Sequence, residues 1–158
     1  MARKHSSWKP GDIFGIPLGR DEYGLGQILS HEKNCMDSVF CCFSSVIARD
    51  SSEGMPLIRP SDLISVQIAT RDSLDKGIWP ILGSSSLIDV ADLHPIESLR
   101  ENGYVGAKIR GSGAMQKFLL AYHGRSPWDE YFDPLYFDKL LLEGLGRPAS
   151  ATFKATTG

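Results

Sequence analysis

The sequence lacks any apolar run near the roughly 20 residues that a membrane-spanning helix requires. Its first residues, Met1–Pro10, are polar and do not contain the apolar centre of a signal peptide. No charge dominates either. The chain has 17 basic and 19 acidic residues, and a net charge of −2 provides no general attraction to nucleic acid or acidic lipid. We therefore expect a cytoplasmic protein with no membrane contact and no nucleic-acid partner.

Cysteine is also scarce, with 3 residues at Cys35, Cys41 and Cys42. An odd number does not suit the disulfide framework of a small secreted protein. Cys41 and Cys42 are adjacent within an apolar run, and neighbouring residues of a strand face opposite sides. We therefore expect buried, reduced thiols, in agreement with a cytoplasmic location.

Recognisable catalytic and metal-binding motifs are missing as well. No G-x-S-x-G pattern stands at a strand-to-helix turn. Gly111-Ser112-Gly113 precedes a helical pattern, but the Gly-Lys-Ser/Thr of a phosphate-binding loop does not follow. His31 and Cys35 form one pair of possible zinc ligands, whereas a zinc site needs three or four. The sequence predicts no catalytic residue, no metal site and no cofactor.

Alternating apolar residues in the first two thirds of the chain predict β-strands. Residues 12–18 and 23–29 indicate a bent hairpin, in which Pro17 favours an edge position for the first strand. Residues 39–47 are apolar on both faces, as is typical of a central strand. Further strands are predicted at residues 63–69, 78–82 and 104–109.

Near the end of the chain the apolar spacing becomes helical. It predicts one helix from Ser112, ended by Gly124, and a second helix that begins at Asp133-Pro134. His123 closes the first helix, where a cationic imidazole would meet the negative end of the helix dipole. The fold class is therefore α+β, with a bent antiparallel sheet of about five to six strands and two C-terminal helices packed on one face. We expect one domain over residues 1–148 and a flexible tail over 149–158, and we leave the oligomeric state open.

The connection between these two helices, within residues 121–138, is rich in aromatic rings and carboxylates. One interpretation is structural: Trp128 fills the gap between the helices and Asp133 caps the second helix. The other interpretation is a contact surface, in which rings provide buried area and acids attract a basic partner. The structural interpretation accounts for about half of the rings and one carboxylate, and we keep both interpretations.

Two parts of the sequence resemble a known family. The pattern W-K-P-G-D-I-F-G-I-P-L at 8–18, followed by Y-G-L-G-Q-I-L at 23–29, resembles the opening of the immunity protein 26 family. Residues 121–142 resemble the closing helical part of that family, whereas residues 34–102 match only in strand rhythm. The resemblance implies a mostly β protein of bacterial contact-dependent competition that binds and neutralises the toxic domain of a polymorphic toxin. It brings no catalytic residue.

The partner implied by this resemblance is a cognate toxin domain, and a nuclease-type toxin with a basic cleft is the expected kind. Our hypothesis for the toxin-binding residues is Trp128, Asp129, Glu130, Tyr131 and Asp133. The alternative is that specificity lies on loops of the middle region, represented by Asp50, Glu53, Asp72 and Asp75.

Three other functions stay open at this point. A nucleic-acid-binding module with a small bent β-barrel would use the basic cluster of Lys108, Arg110, Lys117 and Arg125. A small hydrolase would use His123 with Asp129 or Glu130. A scaffold subunit without a toxin partner is the third possibility.

Overall fold

The computed structural model describes residues 7–49 and 57–154, which form a six-stranded sheet with strand order β5-β1-β2-β3-β4-β6. The strands are β1 (Asp12–Gly19), β2 (Glu22–Glu32), β3 (Ser38–Arg49), β4 (Leu63–Ala69), β5 (Ile81–Ser84) and β6 (Ile109–Arg110). Neighbouring strands are antiparallel except for β4 and β6, which are parallel. The sheet is open, so the closed barrel of the nucleic-acid-binding alternative is not the architecture found.

The helices are short and concentrated in the second half of the chain. They are α1 (Asp72–Asp75), α2 (Ile96–Glu101), α3 (Ser112–Tyr122) and α4 (Tyr136–Leu140), with a 3-10 turn at Pro60–Asp62. Within the described ranges, no helix combines the length and apolar character needed to cross a bilayer. The α+β class and the packing of the C-terminal helices on the sheet are confirmed.

Both faces of the sheet are covered, because successive residues of its central strands enter different apolar clusters. Cys41 and Phe43 belong to the cluster beneath α3 and α4, together with Phe118. Phe40 and Cys42 belong to the cluster on the opposite face. The three cysteines are free and buried, and burial raises the pKa of the Cys42 thiol to about 12. Buried cysteines without a disulfide bond are therefore found, as expected.

The glycines of β2 allow other groups to approach its backbone closely. A Cβ at Gly26 would lie 2.5 Å from the ring of Phe14 and 2.7 Å from the carbonyl oxygen of Cys42. Phe14 in turn stacks on Trp79 at 5.2 Å between ring centroids. The β1–β2 hairpin thus bends over its own aromatic core.

Two predictions about strands are wrong. β1 is not an edge strand, because β5 pairs with its first residues from Asp12 to Phe14, although Pro17 lies beyond this pairing. Residues 104–109 form mainly a turn, with positive φ at Tyr104 (66°) and Gly106 (84°), and only β6 pairs with the sheet. The apolar alternation in this stretch therefore does not mark the buried face of a strand, and Val105 is exposed.

An ion pair between a buried carboxylate and an exposed arginine, which the sequence did not reveal, attaches α2 to the end of β2. Glu32 is 3% exposed and accepts two hydrogen bonds of 2.9 Å from Arg100 and one of 2.8 Å from Tyr104. The Arg100 guanidinium, with help from Ser30 and Tyr104, lowers the pKa of Glu32 to about 2. The carboxylate is therefore ionised throughout the neutral range.

The last described residues contact the connection between α3 and α4. The backbone N–H of Trp128 donates to the carbonyl oxygen of Thr152 at 2.7 Å, and Ser150 donates to the carbonyl oxygen of Tyr122 at 2.7 Å. Residues 155–158 lie outside the described ranges. The flexibility of the tail from residue 149 onward remains a prediction.

Candidate functional site

The connection between α3 and α4 is fixed at its start by a glycine. α3 ends at Tyr122, His123 is its C-cap, and Gly124 follows with φ of 73°, a conformation that side chains disfavour. A Cβ at Gly124 would lie 2.7 Å from the carbonyl oxygen of Ser150. Glycine is therefore required there, as the sequence predicted for the end of this helix.

Trp128 lies under this connection and has no exposed surface. Its ring packs against Phe118 and Phe137 at centroid distances of 5.9 and 5.7 Å, and its indole N–H donates to Asp138 at 3.2 Å. The structural interpretation of Trp128 is therefore right. The hypothesis that its ring contacts a toxin is corrected, because a fully buried ring presents nothing to a partner.

The side chains that follow Trp128 in the chain form a surface, which we call the C-terminal surface. It consists of the exposed Glu130, Phe132 and Leu135 and the half-buried Asp129 and Asp133. Phe132 is 101% exposed and Leu135 is 55% exposed. Tyr131 lies beside this surface, half-buried, and stacks on Tyr136 at 4.4 Å between ring centroids. The structure thus brings together four of the five residues predicted for toxin binding.

Local hydrogen bonds hold the acids of the C-terminal surface in place. Asp133 accepts the backbone N–H of Leu135 at 2.9 Å and pairs with Lys139 at 2.6 Å. The Lys139 ammonium and this N–H lower the pKa of Asp133. Asp129 accepts the backbone N–H of Lys154 at 2.8 Å. Asp133 therefore organises the turn before α4, but α4 itself begins three residues later than the sequence predicted.

His123 does not form the pairing with Asp129 or Glu130 that the hydrolase alternative requires. Burial, together with the nearby positive charge of Arg125, lowers the pKa of the imidazole to about 4. Its Nε2 is buried without a hydrogen-bond partner in the described part of the chain, so it is not bonded to Asp129 or Glu130. The predicted cationic imidazole at the end of the helix is wrong for the same reason: His123 is neutral at neutral pH.

The alternative specificity residues are partly described. Asp75 accepts the indole N–H of Trp8 at 2.8 Å and pairs with Arg71 at 3.3 Å. Asp72 accepts hydrogen bonds from Thr70 and Ser112 at 2.7 and 2.8 Å. Asp72 and Asp75 line a shallow depression together with the exposed Met36. The hydrogen bonds of both carboxylates also stabilise the position of α1. Asp50 and Glu53 lie outside the described residues.

The other sequence candidates do not assemble into a site. His31 bonds to Asp37, and no group of three or more potential metal ligands occurs in residues 7–49 and 57–154. The Gly111-Ser112-Gly113 turn faces the carboxylate of Asp72, which would repel a phosphate. In the basic cluster, Arg125 is paired with Glu22 at 2.6 Å.

A sequence model of the immunity protein 26 family matches residues 9–103, more than half of the chain. The chain therefore belongs to the immunity protein 26 family. It is an immunity protein of toxin systems, and its partner is a toxin protein. No curated protein and no solved structure gives a significant match.

Sequence reasoning missed the two residues that expose most apolar area at the C-terminal surface, Phe132 and Leu135. A usable signal existed for Phe132. It stands between the acidic residues Glu130 and Asp133, before the predicted start of the second helix. An apolar residue between charged residues, outside a predicted helix or strand, is a candidate for exposure.

Proposed function

We propose that this protein neutralises its cognate toxin domain by direct contact through the C-terminal surface, in the cytoplasm and without catalysis. The observation that carries this proposal is the complete exposure of Phe132 among carboxylates. An exposed phenylalanine contributes little to folding, whereas a partner that covers it gains buried aromatic area. A central aromatic residue surrounded by polar groups is the usual composition of a binding hot spot.

The negative charge of this surface indicates a partner with a basic surface. Asp129 and Asp133 each have a local partner, but Glu130 forms no ion pair within the described part of the chain. The surface therefore presents negative charge, which speeds encounter with a basic protein surface. A toxin that acts on nucleic acid carries such a surface, because its substrate is a polyanion. We infer a nuclease-type toxin as the partner.

The test is a paired charge reversal. Asp129→Lys combined with Glu130→Lys is compared with the control Asp92→Lys combined with Glu101→Lys, which changes the net charge equally at exposed positions. Binding to a catalytically inactivated form of the toxin domain encoded beside this gene is measured by calorimetry. The test pair should weaken binding at least ~10-fold, with the larger loss at low salt.

Equal affinity for the test pair and the control pair would remove the C-terminal surface from the interface. The depression around Asp72 and Asp75 would then be examined next. A thermal unfolding curve for each variant separates loss of binding from loss of folding.

A further inference from the structure

A groove of about 300 Å³ opens at the outer edge of the sheet, between β4, the turn before β6 and the end of α4. Its apolar walls come from Leu93, Leu99 and the leucines at 140–142. Lys108, Arg110 and Glu143 contribute the charged groups of the lining. It is therefore an apolar slot with two cations and one carboxylate, and it carries net positive charge.

The two cations are available to a ligand. Neither Lys108 nor Arg110 forms an ion pair with a carboxylate in the described ranges. Arg110 makes only a 3.3 Å hydrogen bond to Gln67 and a cation–π contact with Tyr136, at 5.5 Å from the ring centroid. Arg100, Arg125 and Arg147, by contrast, are each paired with a carboxylate. The charge of the groove is thus left uncompensated by the fold.

One polar side chain of the groove lacks a hydrogen-bond partner, and backbone groups of β4 face the groove. His94 lines the groove, and its Nδ1 is buried without a hydrogen-bond partner in the described part of the chain. Thr70, which directly follows β4, donates its backbone N–H to the carbonyl oxygen of Arg110 in β6. The backbone groups of every second residue of a strand point to the same side, so the N–H and carbonyl of Val66 also point toward the groove. A ligand with peptide groups would satisfy such a wall.

The groove is continuous with the C-terminal surface through a row of stacked side chains. Arg110 lies over the ring of Tyr136, and Tyr136 stacks on Tyr131. Tyr131 directly precedes Phe132 in the chain. A partner that covers Phe132 would therefore reach the groove by extending along this row.

We propose that the groove binds a segment of the toxin domain in which an acidic side chain is flanked by apolar residues. The carboxylate lies between Lys108 and Arg110, the apolar residues contact the leucine walls, and the peptide backbone meets Val66. This inference rests on the proposed function. The proposed interface has two parts. The acidic C-terminal surface contacts basic groups of the toxin, and the basic groove binds an acidic side chain of the toxin.

The first experiment does not need the toxin. The ¹⁵N-labelled protein is titrated with acetyl-Leu-Glu-Leu-amide and with the uncharged acetyl-Leu-Gln-Leu-amide, and amide shifts are followed by NMR. The acidic peptide should bind weakly and shift the amides of Val66, Gln67 and Lys108. The uncharged peptide should bind at least ~10-fold more weakly. Lys108→Glu should abolish the shifts, whereas the control Lys117→Glu, at an exposed position of α3, should retain them.

Three results would overturn the proposal: equal binding of both peptides, retained binding in Lys108→Glu, or equal binding of free hexanoate, which would identify a site for small carboxylates. The second experiment measures the affinity of Lys108→Glu and Arg110→Gln for the inactivated toxin domain. Loss of affinity by ~10-fold or more in both variants supports the groove. Full affinity in both, together with a loss in the Asp129→Lys/Glu130→Lys protein, overturns the groove and leaves the proposed function standing.

Discussion

The family-matched region, residues 9–103, and the C-terminal region, residues 104–154, use phenylalanine differently. Phe14, Phe40 and Phe43 of the first region are all buried in the sheet. In the second region, Phe118 and Phe137 are buried, but Phe132 and Phe153 are 101% and 49% exposed. The first region buries its phenylalanines in the core. The second region also exposes two phenylalanines, Phe132 and Phe153.

The two regions also differ in whether the family model matches them. The match over residues 9–103 covers β1 to α2, which is the greater part of the sheet and the Glu32–Arg100 pair. The C-terminal surface lies outside the matched residues. The residues that we propose for toxin binding therefore lie outside the part of the chain that shows family membership.

The largest effect is expected from removal of the buried tryptophan in each region. Trp128→Ala and Trp79→Ala should each destabilise the protein by about 4 kcal/mol, because both rings are enclosed by aromatic neighbours. Urea unfolding followed by circular dichroism measures both losses. A loss below about 1 kcal/mol for Trp128→Ala alone would mean that the C-terminal region is only loosely attached to the sheet.

The next effect concerns the buried carboxylate of the family-matched region. Glu32→Gln should cost about 2 kcal/mol at neutral pH, because the hydrogen bonds from Arg100 lose their ionic partner. The matched control is Glu97→Gln, which changes the exposed partner of the same arginine and should cost less than about 0.5 kcal/mol.

The pH dependence of this effect has a definite sign. The folded pKa of Glu32, about 2, lies below the ordinary value of 4.5. The stabilisation is therefore complete above about pH 4.5 and is lost as the pH falls toward 2. The stabilities of the wild type and of Glu32→Gln should converge in acid. A constant difference between them across this range would contradict the assigned ion pair.

A smaller effect is expected from His123 in the C-terminal region. Its folded pKa of about 4 lies below the ordinary value of 6.5, so the neutral imidazole stabilises the fold. This contribution is complete above pH 6.5 and is lost as the pH falls toward 4. An NMR titration of the ring protons measures the pKa directly. Protonation near the ordinary value would show that His123 is accessible to water, and would reopen the hydrolase alternative.

The smallest effect on stability, and the sharpest contrast with Trp128, is expected from Phe132→Ser. The free energy of unfolding should change by less than about 0.5 kcal/mol, because the ring is fully exposed. Toxin affinity should nevertheless fall at least ~10-fold. Leu87→Ser, at a residue that is 55% exposed in the family-matched region, is the control and should leave affinity unchanged. Equal affinities for the two variants would place the contact elsewhere.

The sequence predicted the scaffold better than the surface, for a physical reason. Burial of one face of β1, β4 and α3 requires apolar residues at regular spacing, and this spacing can be read from the sequence. The turn at residues 104–109 has the same alternation, although its apolar residues are exposed or half-buried. The Glu32–Arg100 pair joins residues 68 positions apart, and no local pattern connects them.

The candidate site was predicted in part for a similar reason. Asp129, Glu130 and Asp133 are recognisable by composition, because three acids fall within five residues. Trp128 was assigned two roles, and only packing against Phe118 and Phe137 decides between them. The groove beside Lys108 could not be predicted, because α4, β4 and the turn before β6 meet only in the folded chain.

The central claim is that this immunity protein acts by occupying its toxin and not by transforming it. The direct measurement is a titration of active toxin with increasing amounts of the protein, with residual toxin activity as the readout. The account predicts a linear decline that ends at a fixed molar ratio, and full recovery of activity when the complex is dissociated. Complete inactivation by a small fraction of that amount, increasing with time and not reversed by dissociation, would contradict it.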